Sequence, residues 1–285
     1  VITGITGMDA ANLASYLLDL GYFVVGTERR TSTPKRWRLE ELGILGNKNL
    51  IIVSADLIDQ GSIDRVISEF QPDEVYNLAA QSFVGASWDS PIQTSEVTGL
   101  GVTRVLEAVR NNKPDTRVYQ AGSSEMFGGA NRVEILNEDS IFQPRSPYGV
   151  AKTYGHHMAI NYRESYGMFV ANGINFNHES SLRGIEFVTR KITDGVARIN
   201  YGIQKNIQLL NLDSKRDWGH SVDYVRGMHL MLQHHEPDDF VLATNKVYGV
   251  DDLCRLAFKH IEIDNWRDHI VLADKGRPAD VKHLQ

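Results

Sequence analysis

The stretch Val1-Ile2-Thr3-Gly4-Ile5-Thr6-Gly7-Met8-Asp9-Ala10 decides the fold. Its first three residues form an apolar stub that reads as a strand. Apolar residues at helical spacing follow at Leu13, Ala14, Leu17 and Leu18, and Gly21 ends the run. Phe23-Val24-Val25 then reads as a second, buried strand. Strand, glycine-rich turn, helix and strand make a βαβ opening. Glycines in such a turn let the backbone approach a pyrophosphate closely and leave the helix N-terminus to bind it. The spacing here is G-x-x-G-x-x-A, with Ala10 as the third small residue. The reading is a dinucleotide site.

The same alternation continues outward. Leu50–Val53, Glu74–Ala80, Arg117–Ala121 and Phe169–Phe176 read as strands; Gln60–Phe70, Thr98–Arg110 and Tyr148–Tyr166 read as helices. This predicts an α/β fold, a doubly wound Rossmann-type parallel sheet. The last third is less regular, with helices expected at Val188–Tyr201, Ser221–Leu232 and Val250–His260 and strands at Ile207–Leu212 and Phe240–Thr244. It predicts a smaller C-terminal α/β substrate lobe over the rim of the sheet. The expected division is 1–177 for the cofactor and 178–285 for the substrate, with interleaved segments.

Composition narrows the function classes. The chain has 285 residues, 42% hydrophobic and 23% charged, which suits one large globular domain carrying a lobe. Its net charge of −6, with no long basic block, argues against nucleic acid. No apolar run reaches membrane-spanning length and no signal pattern opens the chain, so no membrane partner is expected. The single Cys254 cannot form an internal disulfide, which favours a reducing cytoplasm, and it reads as a small buried hydrophobe. Val1 starts in mid-strand and Gln285 follows no terminal signal, so both ends are expected to be cut back. There is no internal repeat, low-complexity tract or metal-ligand cluster, and no metal is expected. The pairs His156-His157 and His234-His235 read as surface residues.

The chemistry concentrates at Ser146-Pro147-Tyr148-Gly149-Val150-Ala151-Lys152. Tyr148 and Lys152 lie four apart, on one face of a helix. An ammonium beside a phenol favours phenolate, so the spacing predicts a Tyr148 pKa drawn down toward neutrality. Strand Arg117–Ala121 runs into Gly122-Ser123-Ser124-Glu125. In extended backbone Ser123 and Glu125 point to the same side, which brings a hydroxyl and a carboxylate to the ligand-binding end of the sheet. A helix cap with a solvated Glu125 is the plainer alternative.

After the second strand, Glu28 offers a carboxylate for the ribose hydroxyls of NAD, while Arg29, Arg30, Thr31 and Ser32 offer a setting for the 2′-phosphate of NADP. The arginines outweigh the single Glu and NADP is expected, with a solvated charged loop as the alternative. Thr33–Gly46 is a long basic, then apolar, excursion suited to contacting a partner subunit. Asp56 suits the adenine edge or a helix cap. Ala79 and Ala80 allow close approach to a cofactor or fill the core. Arg190, Lys191, Arg216 and Arg277 are cations suited to a nucleotide-sugar diphosphate, or are ordinary surface residues.

Seven stretches together resemble the GDP-mannose 4,6-dehydratases of the extended short-chain dehydrogenase/reductase superfamily. They are TGITGMDAANLA, YNLAAQSFVGASW, QAGSSEMFG, PRSPYGVAK, FNHESSLRGIEFVTRKIT, NLDSKRDWGH and RPAD. The resemblance covers essentially the whole chain. It implies a lyase that removes water from GDP-mannose by internal hydride transfer through bound NADP, with Ser123, Glu125, Tyr148 and Lys152 catalytic. It assigns Gly4, Thr6, Gly7, Met8, Asp9, Arg29, Arg30, Asp56, Leu57, Leu78, Ala79, Ala80, Gln81, Ser82, Tyr148, Lys152, His178 and Arg183 to the cofactor. It assigns Asn177, Lys191, Arg216 and Arg277 to the substrate. It also implies a homo-oligomer, dimer or tetramer, serving GDP-fucose or GDP-rhamnose synthesis. The chain departs from the family pattern at Met8 and Ala10 (usually Gln and Gly), at Ser123 (usually Thr) and at Ser181 (usually Pro), and it lacks the family's terminal helical stretch. Neighbouring readings are a dehydratase for a related GDP-sugar such as a manno-heptose, and a GDP-4-keto-6-deoxymannose reductase.

Overall fold

The computed structural model describes residues 1–128, 135–273 and 283–284. In chain order the elements begin with β1 (Ile2–Thr3), α1 (Met8–Asp19), β2 (Val24–Glu28), α2 (Trp37–Glu41), β3 (Leu50–Ser54), α3 (Gln60–Phe70) and β4 (Glu74–Asn77). Next come α4 (Val84–Asp89), α5 (Pro91–Thr94), a π-helical turn (Ser95–Leu100), α6 (Gly101–Asn112) and β5 (Arg117–Ala121). A 3₁₀ turn (Ser124–Met126) precedes α7 (Pro147–Tyr166), β6 (Val170–Asn175), β7 (Asn177–Glu179), α8 (Val188–Asn200), β8 (Ile207–Leu209) and β9 (Lys215–His220). The chain continues through α9 (Ser221–Gln233), β10 (Asp239–Leu242), β11 (Val247–Gly249), α10 (Val250–Lys259), β12 (Ile270–Leu272) and β13 (His283–Leu284).

The large sheet is parallel, in the order β10-β6-β5-β4-β1-β2-β3. Strand order reverses between β1 and β4, with Ile2 in register with both Gly26 and Tyr76. Ligands in open α/β sheets bind at such a switch point, beyond the carboxyl ends of the strands. One face is covered by α1 and α9 through a core that includes Leu13, Leu17, Val225 and Met228. The other is covered by α3, α6 and α7 through Ile67, Val105, Leu106 and Ala159. Parallel strands covered on both faces read as continuous apolar runs, which is why they are legible in the sequence.

The lobe is built differently. Strand β9 lies between β11 and β13 and pairs with β7 as well, while β12 pairs with β8. Its core packs Ile192, Val196, Ile207, Phe258 and Trp266 around a buried Cys254. Between β9 and β11 the chain returns to the large sheet as α9 and β10.

Several local expectations are corrected. The strand expected over Glu74–Ala80 ends at Asn77, because Thr3 Oγ1 receives the amides of Leu78 and Ala79 at 3.0 Å and turns the chain off the ladder. The helix expected from Thr98 is preceded by helical structure from Val84 onward. His156 is buried rather than superficial, with Nε2 at 3.3 Å from Asp239, whereas His157, His234 and His235 are exposed. Lys215–His220, to which the sequence assigned no element, is β9, a strand whose charged residues hide its period. Among the described residues no helix is long and apolar enough to cross a membrane.

Candidate active site

At the start of α7 the Ser146 side chain accepts a hydrogen bond from the Gly149 amide at 3.0 Å, and Pro147 occupies the first turn. A hydroxyl cap followed by Pro is a strong helix start. It fixes Tyr148 in the first turn with Lys152 one turn later, both buried. A Cβ added at Gly149 would lie 2.7 Å from the Glu125 carbonyl oxygen. The absence of a side chain there lets the first turn of α7 press against the Glu125 backbone. That contact brings the 3₁₀ turn and the Tyr148 helix together.

Ser123 and Glu125 do not sit in extended backbone as expected. Ser123 is extended but caps the 3₁₀ turn, its Oγ accepting from the Glu125 amide at 3.2 Å. The two side chains nevertheless line the same cavity as Tyr148 and Lys152.

A buried polar relay crosses the strand tips. Thr3 Oγ1 donates to Asn77 Oδ1 at 2.8 Å, Asn77 Nδ2 to Gln120 Oε1 at 2.8 Å, and Gln120 Nε2 to the Ala121 carbonyl at 3.1 Å. That carbonyl also receives Lys152 Nζ at 2.7 Å. The ammonium is therefore directed at the backbone, and it stands 5.8 Å from the Tyr148 ring centre. Burial brings Lys152 down to about 8. Burial pushes the Tyr148 phenol up to about 12; hydrogen bonding with Ser123 works the other way, and the Glu125 carboxylate adds to the rise. The lowering expected from the four-residue spacing is thus reversed in the chain alone. Desolvation of a phenolate outweighs a cation whose proton is already engaged.

A second constellation surrounds the glycine-rich turn. Gly4 has φ +69°, and a Cβ there would lie 3.0 Å from Ala79 Cα, so this turn needs glycine on both counts. Gly7 caps α1 without a side-chain bond, leaving the helix N-terminus facing the cavity. His178 Nδ1 is 2.7 Å from the Phe176 carbonyl and Nε2 is 2.9 Å from Asp9 Oδ2. The carbonyl accepts, and an ionised Asp9 accepts as well, an arrangement that favours the doubly protonated ring of His178. Burial opposes this charge, yet the Asp9 carboxylate holds the His178 pKa above its usual value. Burial likewise opposes ionisation of Asp9, while His178, Arg183 and a 2.7 Å bond from Ser221 keep it below the usual range. His178 also stacks on Tyr224, with ring centres 4.2 Å apart.

One cavity of about 1010 Å³ collects almost every residue singled out from the sequence. Ser123, Glu125, Tyr148 and Lys152 line it. So do the assigned cofactor residues from Gly4 to Asp9, Arg29, Asp56, Leu57, Leu78 to Ser82, His178 and Arg183, together with Asn177, Lys191 and Arg216. Arg30 is exposed and outside the lining, and Arg277 lies outside the described residues. Asp56 is not the cap of α3, since Asp59 holds that position; Asp56 accepts the Ile58 amide at 3.2 Å. Lys191 is exposed, and Arg190 lies off the cavity with Nη1 3.4 Å from the Ser181 carbonyl.

Arg36, Arg38 and Ser221 escaped the sequence reading. Arg38 donates to the Thr6 carbonyl at 2.9 Å and to the Leu182 carbonyl at 2.7 Å, tying the glycine-rich turn to the Arg183 loop. The excursion after Arg30 therefore folds back on its own chain through α2. Its clue was two arginines two apart at a helix start, beside an apolar residue that buries. Among the described residues no cluster of His, Cys, Asp and Glu is placed to hold a metal.

The sheet order, the glycine turn at its switch point and the Ser–Glu–Tyr–Lys group define a Rossmann-fold protein of the short-chain dehydrogenase/reductase type. Its fold matches the solved dTDP-glucose 4,6-dehydratase DesIV of Streptomyces venezuelae, with a TM-score of 0.85 over 95% of this chain and 83% of that one, at 20% identity. The chain belongs to the GDP-mannose 4,6-dehydratase family, which it matches over residues 1–283. It is 45% identical over its full length to GDP-mannose 4,6 dehydratase 2 of Arabidopsis thaliana, covering 78% of that protein. It is 46% identical over 93% of its length to GDP-mannose 4,6-dehydratase of Yersinia enterocolitica, covering 72% of that protein.

Proposed function

We propose that this chain converts GDP-α-D-mannose to GDP-4-dehydro-6-deoxy-α-D-mannose and water, with NADP regenerated in each turnover. The observation that carries this reading is the place of Glu125 in one cavity with Ser123, Tyr148 and Lys152. Oxidation of an alcohol needs a group to take its proton. Elimination of a neighbouring hydroxyl needs a second acid/base, and a 4-epimerase has no use for one. The relatives named above carry the same activity in their names.

The chain's residues divide the work. A nicotinamide bound in this cavity would supply the redox chemistry, as hydride acceptor for C4 and hydride donor for C6. Tyr148 receives the O4 proton as phenolate, a form that its burial opposes and the Ser123 hydrogen bond favours; Ser123 hydrogen-bonds O4, and Lys152 keeps a positive charge one helical turn away. The 4-ketone makes the C5 proton acidic; Glu125 removes it and delivers it to the C6 hydroxyl, which leaves as water. The proton that Tyr148 took from O4 is the one that balances C5 as hydride arrives at C6, and Tyr148 is thereby reset. The C4 hydrogen ends on C6, and one water is lost. A positioned proton-transfer group contributes roughly 10²–10⁴-fold.

NADP is favoured over NAD by Arg29 on the cavity wall and Arg30 beside it. The open N-terminus of α1, the glycine turn that admits no Cβ at position 4 and the His178 imidazolium all suit a dinucleotide diphosphate. Asn177, Lys191 and Arg216 would hold the sugar nucleotide. The test is to incubate purified protein with GDP-mannose and catalytic NADP⁺ and follow the sugar nucleotide by mass. Loss of one water without NADPH build-up is expected. An unchanged mass, with NADPH-dependent reduction of a supplied GDP-4-keto-6-deoxymannose, would assign the reductase step instead.

A further inference from the structure

Glu28 is the last residue of β2, the position from which a carboxylate ordinarily binds the ribose diol of NAD and repels the 2′-phosphate of NADP. It lines the cavity beside Arg29. On that ground alone the site carries contradictory instructions: a carboxylate suited to NAD and an arginine suited to NADP on adjacent residues.

The contradiction is resolved eight residues downstream. Arg36 Nε lies 3.1 Å from each of the two Glu28 carboxylate oxygens, and Nη2 closes a further bond to Oε1. The guanidinium thus engages both oxygens of the carboxylate, a charge-assisted arrangement that fixes orientation as well as charge. Both partners are held by their backbones. Glu28 pairs in register with Ser54 of β3, and its carbonyl receives the Ala55 amide at 3.1 Å. Arg36 occupies the N-cap of α2, its carbonyl receiving the Leu39 amide at 2.9 Å, and Arg38 two residues later is anchored to Thr6 and Leu182. The Glu28 side chain is 17% exposed and that of Arg36 34% exposed, so the pair sits at the cavity edge rather than free in solvent.

We propose that Arg36 is a positioning residue for cofactor selection: by clamping Glu28 it withdraws that carboxylate from the ribose and converts the end of β2 into a site for the 2′-phosphate. This rests on the NADP reading above. Arg36 acts through Glu28, not by touching the phosphate, so the two residues form one selectivity device with Arg29.

The test measures NADP⁺ and NAD⁺ affinities by calorimetry for the wild-type chain, Arg36→Met, Glu28→Gln and the double variant. Arg36→Met keeps most of the apolar stem and frees the Glu28 charge. It is expected to lower NADP⁺ affinity roughly 10–100-fold and to leave NAD⁺ affinity unchanged or improved, because specificity is a difference of affinities and the freed charge repels only the phosphate. Glu28→Gln alone should leave NADP⁺ binding near wild type, and the double variant should recover what Arg36→Met lost. A purely structural role for Arg36 would depress both cofactors together and would not be rescued at position 28. An unchanged ratio of the two affinities in Arg36→Met, or no recovery in the double variant, overturns the proposal. The wild-type preference tests the NADP reading itself, and the change of preference tests Arg36, so the two are read apart.

Discussion

The two walls of the cavity are built on opposite terms. On the sheet side, polar groups are buried and bound to one another in the relay from Thr3 to Lys152, and the Asp9–His178–Ser221 cluster ties the start of α1 to β7. On the lobe side, Lys191 projects from α8 as an exposed cation, and the fold beneath it is held by an apolar cluster. The first wall suits chemistry, where a group must be in place before the reaction and desolvation changes its proton affinity. The second suits capture of a charged, mobile substrate, where long side chains in solvent can adapt. On the proposed roles, burial separates catalysis from recognition within one cavity, with Asn177 and Arg216 half-buried between the two extremes.

The sharpest way to break that comparison is at Glu125. Glu125→Gln is expected to reduce dehydration roughly 10²–10⁴-fold while GDP-mannose binding, measured by calorimetry, stays within a few-fold of wild type. Equal losses in binding and turnover would place Glu125 on the recognition side. Next comes the lobe's own core. Phe258 is fully buried, and Phe258→Ala should cost about 3–5 kcal/mol in denaturant unfolding. The difference between the walls predicts that substrate affinity falls with it before cofactor affinity does.

The sheet side carries a pH signature. Lys152 loses its proton near 8, so turnover that needs its charge should fall as pH rises through about 8. His178 is held above its ordinary value, so its stabilisation is complete below about 6.5 and is lost as pH rises through the raised value. Asp9 is depressed, so its share persists until pH falls through its lowered value. The difference in thermal midpoint between wild type and His178→Asn should therefore shrink as pH rises, while the depressed Lys152 contributes to both proteins with the opposite sign. The smallest effect belongs to the exposed wall. Lys191→Ala should raise KM for GDP-mannose roughly tenfold with kcat little changed, the pattern of lost uniform binding, and added salt should mimic it.

Legibility followed the same division. The strands of the large sheet are apolar runs between turn signals; Gln60–Phe70 and Arg117–Ala121 were read to the residue, and the βαβ opening was read in its order, although β2 runs on to Glu28, three residues past the expected strand. The helix starting at Pro147 announced itself by Ser146 and Pro147. The lobe strands were harder. Strand β9 reads Lys-Arg-Asp-Trp-Gly-His, and its pairing is set by partners far away in the chain. Membership of the cavity lining was legible mainly through the family resemblance, which supplied most of those residues. Proton affinity was not: the spacing of Tyr148 and Lys152 places two side chains, but it carries no information on burial or on the Ala121 carbonyl that takes the ammonium. The engagement of Glu28 by Arg36 was invisible for the same reason, since an eight-residue separation across a turn has no period to reveal it.

The central claim is that hydride leaves C4 and returns to C6 of the same sugar while Glu125 handles the C5 proton. The most direct measurement uses GDP-mannose deuterated at C4, turned over with catalytic NADP⁺ in ordinary water and examined by NMR. The account predicts deuterium at C6 of the 4-keto product, with none lost to the solvent and none accumulated in NADPH. Deuterium found in a released reduced cofactor, with no label at C6, would contradict it.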